Sequence, residues 1–247
     1  METQWYLEYF KEPYGEIYAE YLLAPAITRR EAEFGVKALG LGGGDTVLDC
    51  PCGFARHEPY LAARTRRYVG LDLEADCLRR AGRVSPSALL ARGDMRCLPL
   101  ASRSFDAVVN LFNSFGYFTH EENAKALGEF ARVLRPGGRV LLDLANPRTL
   151  VEALEHCPRT EQAVADLVIS EQWNYESGSG ILANQTVIRI GGERFDRSYR
   201  LHVYSLADLK ALLARAGLRF EKAYGEFDGV PFKEKESGRL IVVARRG

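Results

Sequence analysis

Residues 47–57 read VLDCPCGFARH, placing an aspartate, two cysteines, one glycine and an Arg-His pair within eleven positions. Three chemistries use such residues: a metal or redox centre on Cys50 and Cys52, a phosphate-cradling loop, or the grip for a ligand without phosphate. Structural zinc takes four ligands, usually as two paired clusters. Cys-Pro-Cys stands alone here and no Cys/His pair elsewhere has ligand spacing, so no metal is expected. A cysteine at an apolar strand end serves as a small hydrophobe. A dinucleotide loop uses G-x-G-x-x-G so that bare backbone approaches a pyrophosphate. The spacing Asp49-x-Pro51-x-Gly53-x-Ala55 keeps one glycine and sets an acid in front, which would repel phosphate. Asp49 suits a ligand that brings positive charge, and a helix N-terminus after Gly53 suits a carboxylate.

Two further acids fall in register with the first. Asp72 ends VGLDL, about the offset at which an acid binds ribose hydroxyls. In ARGDMRCLPL, Asp94 can accept from an adenine amino group while the backbone at Met95 meets the ring. Alone, Asp94 would read as a loop acid capping a turn. An adenosine joined to a cationic amino acid satisfies all three positions.

The elements that must hold these residues alternate. TVLDC, RYVGLDL, SALLARGD, SFDAVVNLF and GGRVLLDLAN are short apolar runs, and helical stretches separate several of them. HEENAKALGEFARVL is one such helix, stopped at Arg135-Pro136-Gly137-Gly138. This alternation predicts a mainly parallel sheet with right-handed crossovers. After Leu150 the character changes. LVISEQWNY, GILANQTVIRIGG and RFDRSYRLHVY, within residues 166–204, alternate with period two and are broken by SGSG and GGE, as half-buried antiparallel strands are. SLADLKALLARAG then reads as a helix, and LRFEKAYGEF and RLIVVARR as closing strands. The expected fold is α/β: a Rossmann-like, seven-stranded, mostly parallel sheet with helices on both faces and a small antiparallel β insertion. The expected division is 1–40 for N-terminal helices covering the ligand site, 41–150 with 205–247 for the core, and 151–204 for the inserted cap.

Lys and Arg balance Asp and Glu at 33 each, which argues against a partner held mainly by charge, such as bulk nucleic acid or an anionic membrane. The five cysteines have no disulfide-framework spacing, and METQWYLEYFKEPYGE lacks a basic segment followed by an apolar run. No run of eighteen apolar residues exists. A reducing cytoplasm is the expected setting.

VLDCPCGFARH, VGLDLEADCL, GDMRCLPLASRSFDAVVNLFNSFGYF and RVLRPGGRVLLDL together resemble the successive motifs of class I S-adenosylmethionine-dependent methyltransferases. The resemblance is to the small-molecule branch with an inserted β-sheet, which includes amino-sugar N-methyltransferases, and it covers about residues 44–146. It implies S-adenosylmethionine as cofactor, S-adenosylhomocysteine as product, no metal, and a small-molecule methyl acceptor. It places Asp49, Pro51, Cys52 and Gly53 beside the methionine moiety, Asp72 on the ribose, and Leu73, Asp94 and Met95 around adenine. Asn110 and Leu111 fall where the cofactor faces the acceptor, and Arg56 is within reach of the cofactor carboxylate. Pro51 and Ala55 depart from the usual glycines; Pro51 lacks an amide hydrogen and forbids positive φ, and Ala55 needs room for a methyl.

Methyl transfer from a sulfonium is an in-line displacement in which the protein aligns the nucleophile and excludes water. Acceptor contacts are expected from Asn113, Phe115 and Tyr117 in NLFNSFGYF and from the insertion strand RFDRSYRLHVY. Strand alternation puts Arg197, Tyr199, Leu201 and Val203 on one face and Ser198, Arg200, His202 and Tyr204 on the other; either could look at the acceptor. His202, Tyr199 and Arg200 are the candidate catalytic groups, and Arg197 and Tyr204 candidate acceptor contacts. Arginines on such a roof would favour an acceptor carrying a carboxylate or phosphate. Tyr14 and Tyr18, four apart on a helix, either cover the cofactor or pack that helix on the core. RNA or protein methylation, and a non-catalytic cofactor-binding module using the insertion as a homodimer surface, are the competing functions. DNA methylation is disfavoured, because the fourth strand is followed by Asn110-Leu111-Phe112-Asn113, not an Asn/Asp-Pro-Pro-aromatic motif.

Overall fold

The computed structural model describes residues 4–17 and 24–247. Three helices come first, α1 (Tyr6–Tyr9), α2 (Tyr14–Ile17) and α3 (Pro25–Leu39). Pro25 opens α3, where its missing N–H is no loss, and Gly40 ends it at φ 67°. Then β1 (Thr46–Asp49), α4 (Glu58–Ala62), β2 (Arg67–Asp72), α5 (Ala75–Val84), β3 (Leu89–Arg92), β4 (Phe105–Asn110), α6 (His120–Val133) and β5 (Leu134–Ala145) alternate. They build a seven-stranded sheet of order β10-β11-β5-β4-β1-β2-β3, completed by β10 (Leu218–Tyr224) and β11 (Arg239–Arg246) after helix α8 (Leu206–Arg215). Strands β1 to β5 are parallel, and β11 runs antiparallel to both its neighbours. The central strands read as near-continuous apolar runs because helices cover both faces; every residue of β1 is buried.

Strand order reverses between β1 and β4, which pair directly with Asp49 opposite Val109. At such a reversal the connecting loops part and leave a crevice beyond the carboxyl ends of the strands. Asp49, Asp72 and Asn110 are the last residues of β1, β2 and β4, so their strand ends converge there.

A second sheet, antiparallel and of order β6-β7-β8-β9, comprises β6 (Arg159–Val164), β7 (Leu167–Glu176), β8 (Ile181–Ile190) and β9 (Glu193–His202). Gly191 and Gly192 join β8 to β9 at φ 57° and 81°, the two positive values that a two-residue hairpin turn demands. Leu167, Ile169 and Ile188 bury one face with Ile17 from α2. β9 is tied to the loop after β4 where the His202 amide donates to the Gly116 carbonyl at 2.8 Å. A Cβ at position 116 would lie 2.3 Å from the His202 carbonyl oxygen, so only glycine allows this approach.

Helix α7 (Pro147–His156) and strand β6 are additional to the expected elements. α7 starts at the Asn146 N-cap with Pro147 in its first turn and half-buries Leu150, Val151 and Leu154, whereas β6 is exposed throughout. The expected boundary at 150/151 falls inside α7. The helix expected after Gly53 starts later, at Glu58, because Ala55 takes φ 56° and cannot continue a right-handed helix.

Candidate functional site

A cavity opens at the crevice. Its walls come from the loop Cys50–Phe54, from Asp72 to Glu74 after β2, from Gly93 to Met95 after β3, and from Leu111, Phe112, Ser114 and Tyr117 after β4. Tyr6, Phe10 and Tyr14 close one side. The Asp72 carboxylate organises the first two walls, accepting from the Gly53 amide at 2.7 Å and the Glu74 amide at 2.8 Å. Burial pushes the Asp72 carboxyl up to about 6, against those amides, which favour its charged form.

Beneath the loop lies a buried polar cluster. Asp49 Oδ2 accepts from the Tyr68 hydroxyl at 2.9 Å and lies 3.9 Å from His57 Nδ1. His57 Nε2 is 3.0 Å from Glu31 Oε2, and Arg56 Nη1 donates to the same oxygen at 2.5 Å and to Thr28 Oγ1 at 2.8 Å. Burial pushes the Asp49 carboxyl up to about 7 and holds the His57 imidazole below its ordinary value. Two buried atoms of this cluster have no hydrogen-bond partner among the described residues: Asp49 Oδ1 and Arg56 Nη2. One is an acceptor and the other a cationic donor. Leaving such groups unpaired costs about 1–3 kcal/mol each, more for charged ones. A ligand carrying an ammonium and a carboxylate would pair both.

Asp94 lies in the cavity wall that follows β3, and Arg96 grips it through Nε at 3.1 Å and Nη2 at 2.7 Å. Arg96 also donates to Glu122 at 2.6 Å and to the Tyr6 hydroxyl at 3.0 Å, and lies 4.1 Å over the Phe118 ring. It therefore fastens α1 to the cavity wall.

Residues 47–138 match the model of a methyltransferase domain family. The chain is 39% identical over 99 residues to a dTDP-3-amino-3,4,6-trideoxy-alpha-D-glucopyranose N,N-dimethyltransferase of Streptomyces venezuelae, covering 40% of this chain and 41% of that protein. It is 38% identical over 127 residues to a fatty-acid O-methyltransferase of Mycolicibacterium smegmatis, covering 50% of this chain and 43% of the other. The chain thus spans less than half the length of these two relatives. A solved S-adenosylmethionine-dependent methyltransferase from Clostridium acetobutylicum superposes over 95% of this chain and 98% of its own, with a TM-score of 0.79 at 17% identity. Over residues 47–138 the chain is similar to methyltransferase domains, and its fold is that of a solved S-adenosylmethionine-dependent methyltransferase.

Of the residues named from the sequence for cofactor binding, Tyr14, Pro51, Cys52, Gly53, Arg56, Asp72, Leu73, Asp94, Met95 and Leu111 line this one cavity. Asp49 sits buried directly beneath it. Asn110 does not line it: its side chain is buried, with Nδ2 donating to the Cys50 carbonyl at 2.9 Å. Tyr18 lies outside the described residues. Cys50, Cys52 and Cys77 are buried, and burial raises all three thiols, so they remain protonated packing groups.

A second cavity adjoins the first. Phe10, Tyr14, Phe112 and Tyr117 line both, and beyond them stand Asn113, Glu171, Trp173, Tyr199 and Leu201. The insertion sheet therefore turns its Tyr199/Leu201 face inward. Arg197, on that face, points elsewhere, donating to the carbonyls of Asp196 and Glu12. Arg200 is exposed and pairs with Glu176 at 3.1 Å. His202 lines a separate recess with Arg96 and Arg200, and its ring stacks on Tyr204 at 6.1 Å. Tyr204 is buried, accepting from Asn123 Nδ2 at 2.9 Å, and Phe115 is core beside it. The expectation of an arginine-lined roof is thus corrected: exposed guanidiniums find nearer partners in Glu176 and in backbone carbonyls. Arg96, Glu171, Trp5 and Trp173 escaped sequence reasoning, because nothing local distinguishes them from solvated charge or core aromatics.

Proposed function

We propose that the chain transfers the methyl group of S-adenosylmethionine to a nitrogen or oxygen nucleophile of a small molecule. The observation that carries this reading is the pair of orphaned buried atoms, Asp49 Oδ1 and Arg56 Nη2, beside one cavity. They match in sign the α-ammonium and α-carboxylate of the cofactor's methionine end. Asp72 would take the ribose, and Leu73, Asp94 and Met95 the adenine. When bound, the cofactor supplies an electrophilic methyl on a sulfonium centre. The protein then has to orient the acceptor and keep water out. Phe10, Tyr14, Phe112 and Tyr117, shared by both cavities, form the passage through which acceptor and methyl would meet. On this reading residues 4–17 cover the cofactor, the insertion roofs the acceptor, and Tyr199 and Asn113 touch it.

Calorimetry with S-adenosylmethionine and S-adenosylhomocysteine, each with and without a chelator, tests the cofactor assignment. Micromolar binding of both, unaffected by chelator, is the expected result. Binding of neither would overturn the reading. Transfer of labelled methyl to a panel of amines, alcohols and acids then separates an enzyme from a cofactor-binding module.

A further inference from the structure

We infer that the second cavity takes its acceptor as an ammonium, held by the Glu171 carboxylate among aromatic rings, so that the methylated atom is an amine nitrogen. This inference rests on the methyltransferase reading above. Trp5, Tyr9, Tyr14, Tyr117, Trp173 and Tyr199 surround the cavity. Their rings brace one another: Trp5 lies 4.9 Å from Tyr117 and 5.7 Å from Tyr199, and Trp173 lies 5.8 Å from Tyr199. Aromatic faces attract cations through their quadrupoles, most strongly where water is excluded.

Glu171 supplies the charge. It stands on β7, on the inward face shared with Ile169 and Trp173, and among the described residues is the only acidic one lining this cavity. Asn184 Nδ2 donates to its Oε1 at 3.4 Å, and Thr160 Oγ1 to its Oε2 at 3.5 Å. Both are long bonds from neutral groups, and among the described residues no Arg, Lys or His forms an ion pair with it. Arg197 stands in the same cross-strand row, through Thr186, but bonds the Asp196 and Glu12 carbonyls. A partly buried carboxylate without a cation is costly unless a ligand brings one. Asn113 Oδ1, buried and without a hydrogen-bond partner among the described residues, adds a second acceptor at the cavity wall. An acceptor bearing a carboxylate or phosphate would meet Glu171 as a like charge, whereas an ammonium would find two acceptors and several ring faces.

The chemistry balances with groups already present. The ammonium gives one proton to the Glu171 carboxylate. The neutral nitrogen then forms the N–C bond as the C–S bond breaks, and the electron pair of that bond stays on sulfur, giving a neutral thioether and a methylated ammonium. Burial raises the Glu171 carboxyl, which makes it the better proton acceptor. Attack by an alcohol would also release a proton to it, so the charge of the bound acceptor is the distinguishing property.

The chain has two tryptophans, and both line this cavity, so intrinsic fluorescence reports on it. The probes are choline and its uncharged isostere 3,3-dimethylbutan-1-ol, titrated into protein saturated with S-adenosylhomocysteine. Choline is expected to change the fluorescence saturably, with an affinity at least tenfold above the isostere's. Glu171→Gln should abolish that preference while leaving S-adenosylhomocysteine affinity unchanged by calorimetry. Glu171→Asp should retain part of the preference, and serves in place of Glu171→Gln should that variant fail to bind S-adenosylhomocysteine. Equal binding of the two probes, no response to choline, or a preference that survives removal of the carboxylate would overturn the inference. Failure of the unmodified protein to bind S-adenosylhomocysteine would instead overturn the methyltransferase reading, so the two failures are distinguishable.

Discussion

Arg239 grips Asp143 with two hydrogen bonds of 2.6 Å, from Nε and Nη2 to the two carboxylate oxygens. The pair joins the antiparallel strand β11 to the end of β5, and Asp143 passes the support on. Its Oδ2 accepts from the Phe112 amide at 2.8 Å, and its carbonyl from the Asn113 amide at 3.1 Å. Phe112 and Asn113 hold φ of 62° and 55°, a left-handed pair that costs about 1–2 kcal/mol per residue. An ion pair that lines neither cavity thus fixes Phe112, which lines both, and Asn113, which lines the second.

Removing one partner of that pair strands a buried charge. Arg239→Met is expected to lower the unfolding free energy by about 3 kcal/mol. The double variant with Asp143→Asn should recover part of that loss, since no charge is then stranded. Chemical denaturation of the three variants against the parent measures the coupling. Additive losses would show that the pair does not act as a unit.

Asp49 should make cofactor affinity depend on pH. Its carboxyl, pushed up to about 7, must ionise to meet an ammonium, so affinity rises with pH up to about 7.5 and levels off above. The sign for stability is opposite. An acid whose folded value exceeds its ordinary one holds more protons folded than unfolded, so the free protein loses stability as pH rises from about 4 to 7. The thermal shift produced by S-adenosylhomocysteine should therefore grow between pH 6 and 8. Asp72, at about 6, still titrates in the lower part of that interval, so the comparison with Asp49→Asn isolates the contribution of Asp49. Asp49→Asn should flatten the calorimetric profile, and a profile unchanged in this variant would remove Asp49 from the role.

Arg56 should recognise only the amino-acid end of the cofactor. Arg56→Met is expected to weaken S-adenosylhomocysteine by about 1.5–3 kcal/mol, the range for a hydrogen bond to a charged group. Methylthioadenosine, which lacks that end, should bind the variant and the parent alike. Calorimetry with both compounds checks this. Equal losses for the two would mean that Arg56 only braces the loop through Glu31 and Thr28.

Ala55 adopts φ 56° with its methyl buried, so the cost of replacing glycine there lies in the backbone, beyond the question of room for a methyl. Ala55→Gly is expected to stabilise the protein by about 1 kcal/mol, the left-handed cost less the extra entropy of an unfolded glycine. Thermal denaturation reads this directly, and a lower melting temperature would contradict it.

Much of the lining of the first cavity was legible in the sequence. Asp49, Asp72 and Asp94 each follow an apolar run, and in a parallel sheet the ends of such runs converge on one edge. The loop's electrostatics were not legible. Glu31 and Thr28 come from α3, 25 and 28 residues before Arg56, and no local pattern announces that pairing. Asn110 looked like a cavity residue by position, yet strand alternation turns its side chain into the core. Strand β6 is exposed throughout, so no alternation marks it, whereas α7 does carry a local signal in its Asn146-Pro147 start and its stripe of Leu150, Val151 and Leu154.

By itself the sequence determined the alternating elements, the inserted antiparallel strands and the chemistry of the strand ends. Side-chain periodicity and turn residues encode these within a few neighbouring positions. Only the tertiary structure decided which face of the insertion looks inward. In RFDRSYRLHVY both faces carry an arginine, an aromatic and an apolar or amphipathic residue, so alternation separates the faces without ranking them. Docking β9 through the close contact of Gly116 with His202 turned Tyr199 and Leu201 toward the cavity. Docking also placed Glu171 across from Asn113, 58 positions away in sequence, beside Trp5 and Trp173. Such a constellation depends on contacts between distant segments, which the packing of two sheets supplies and local preference does not.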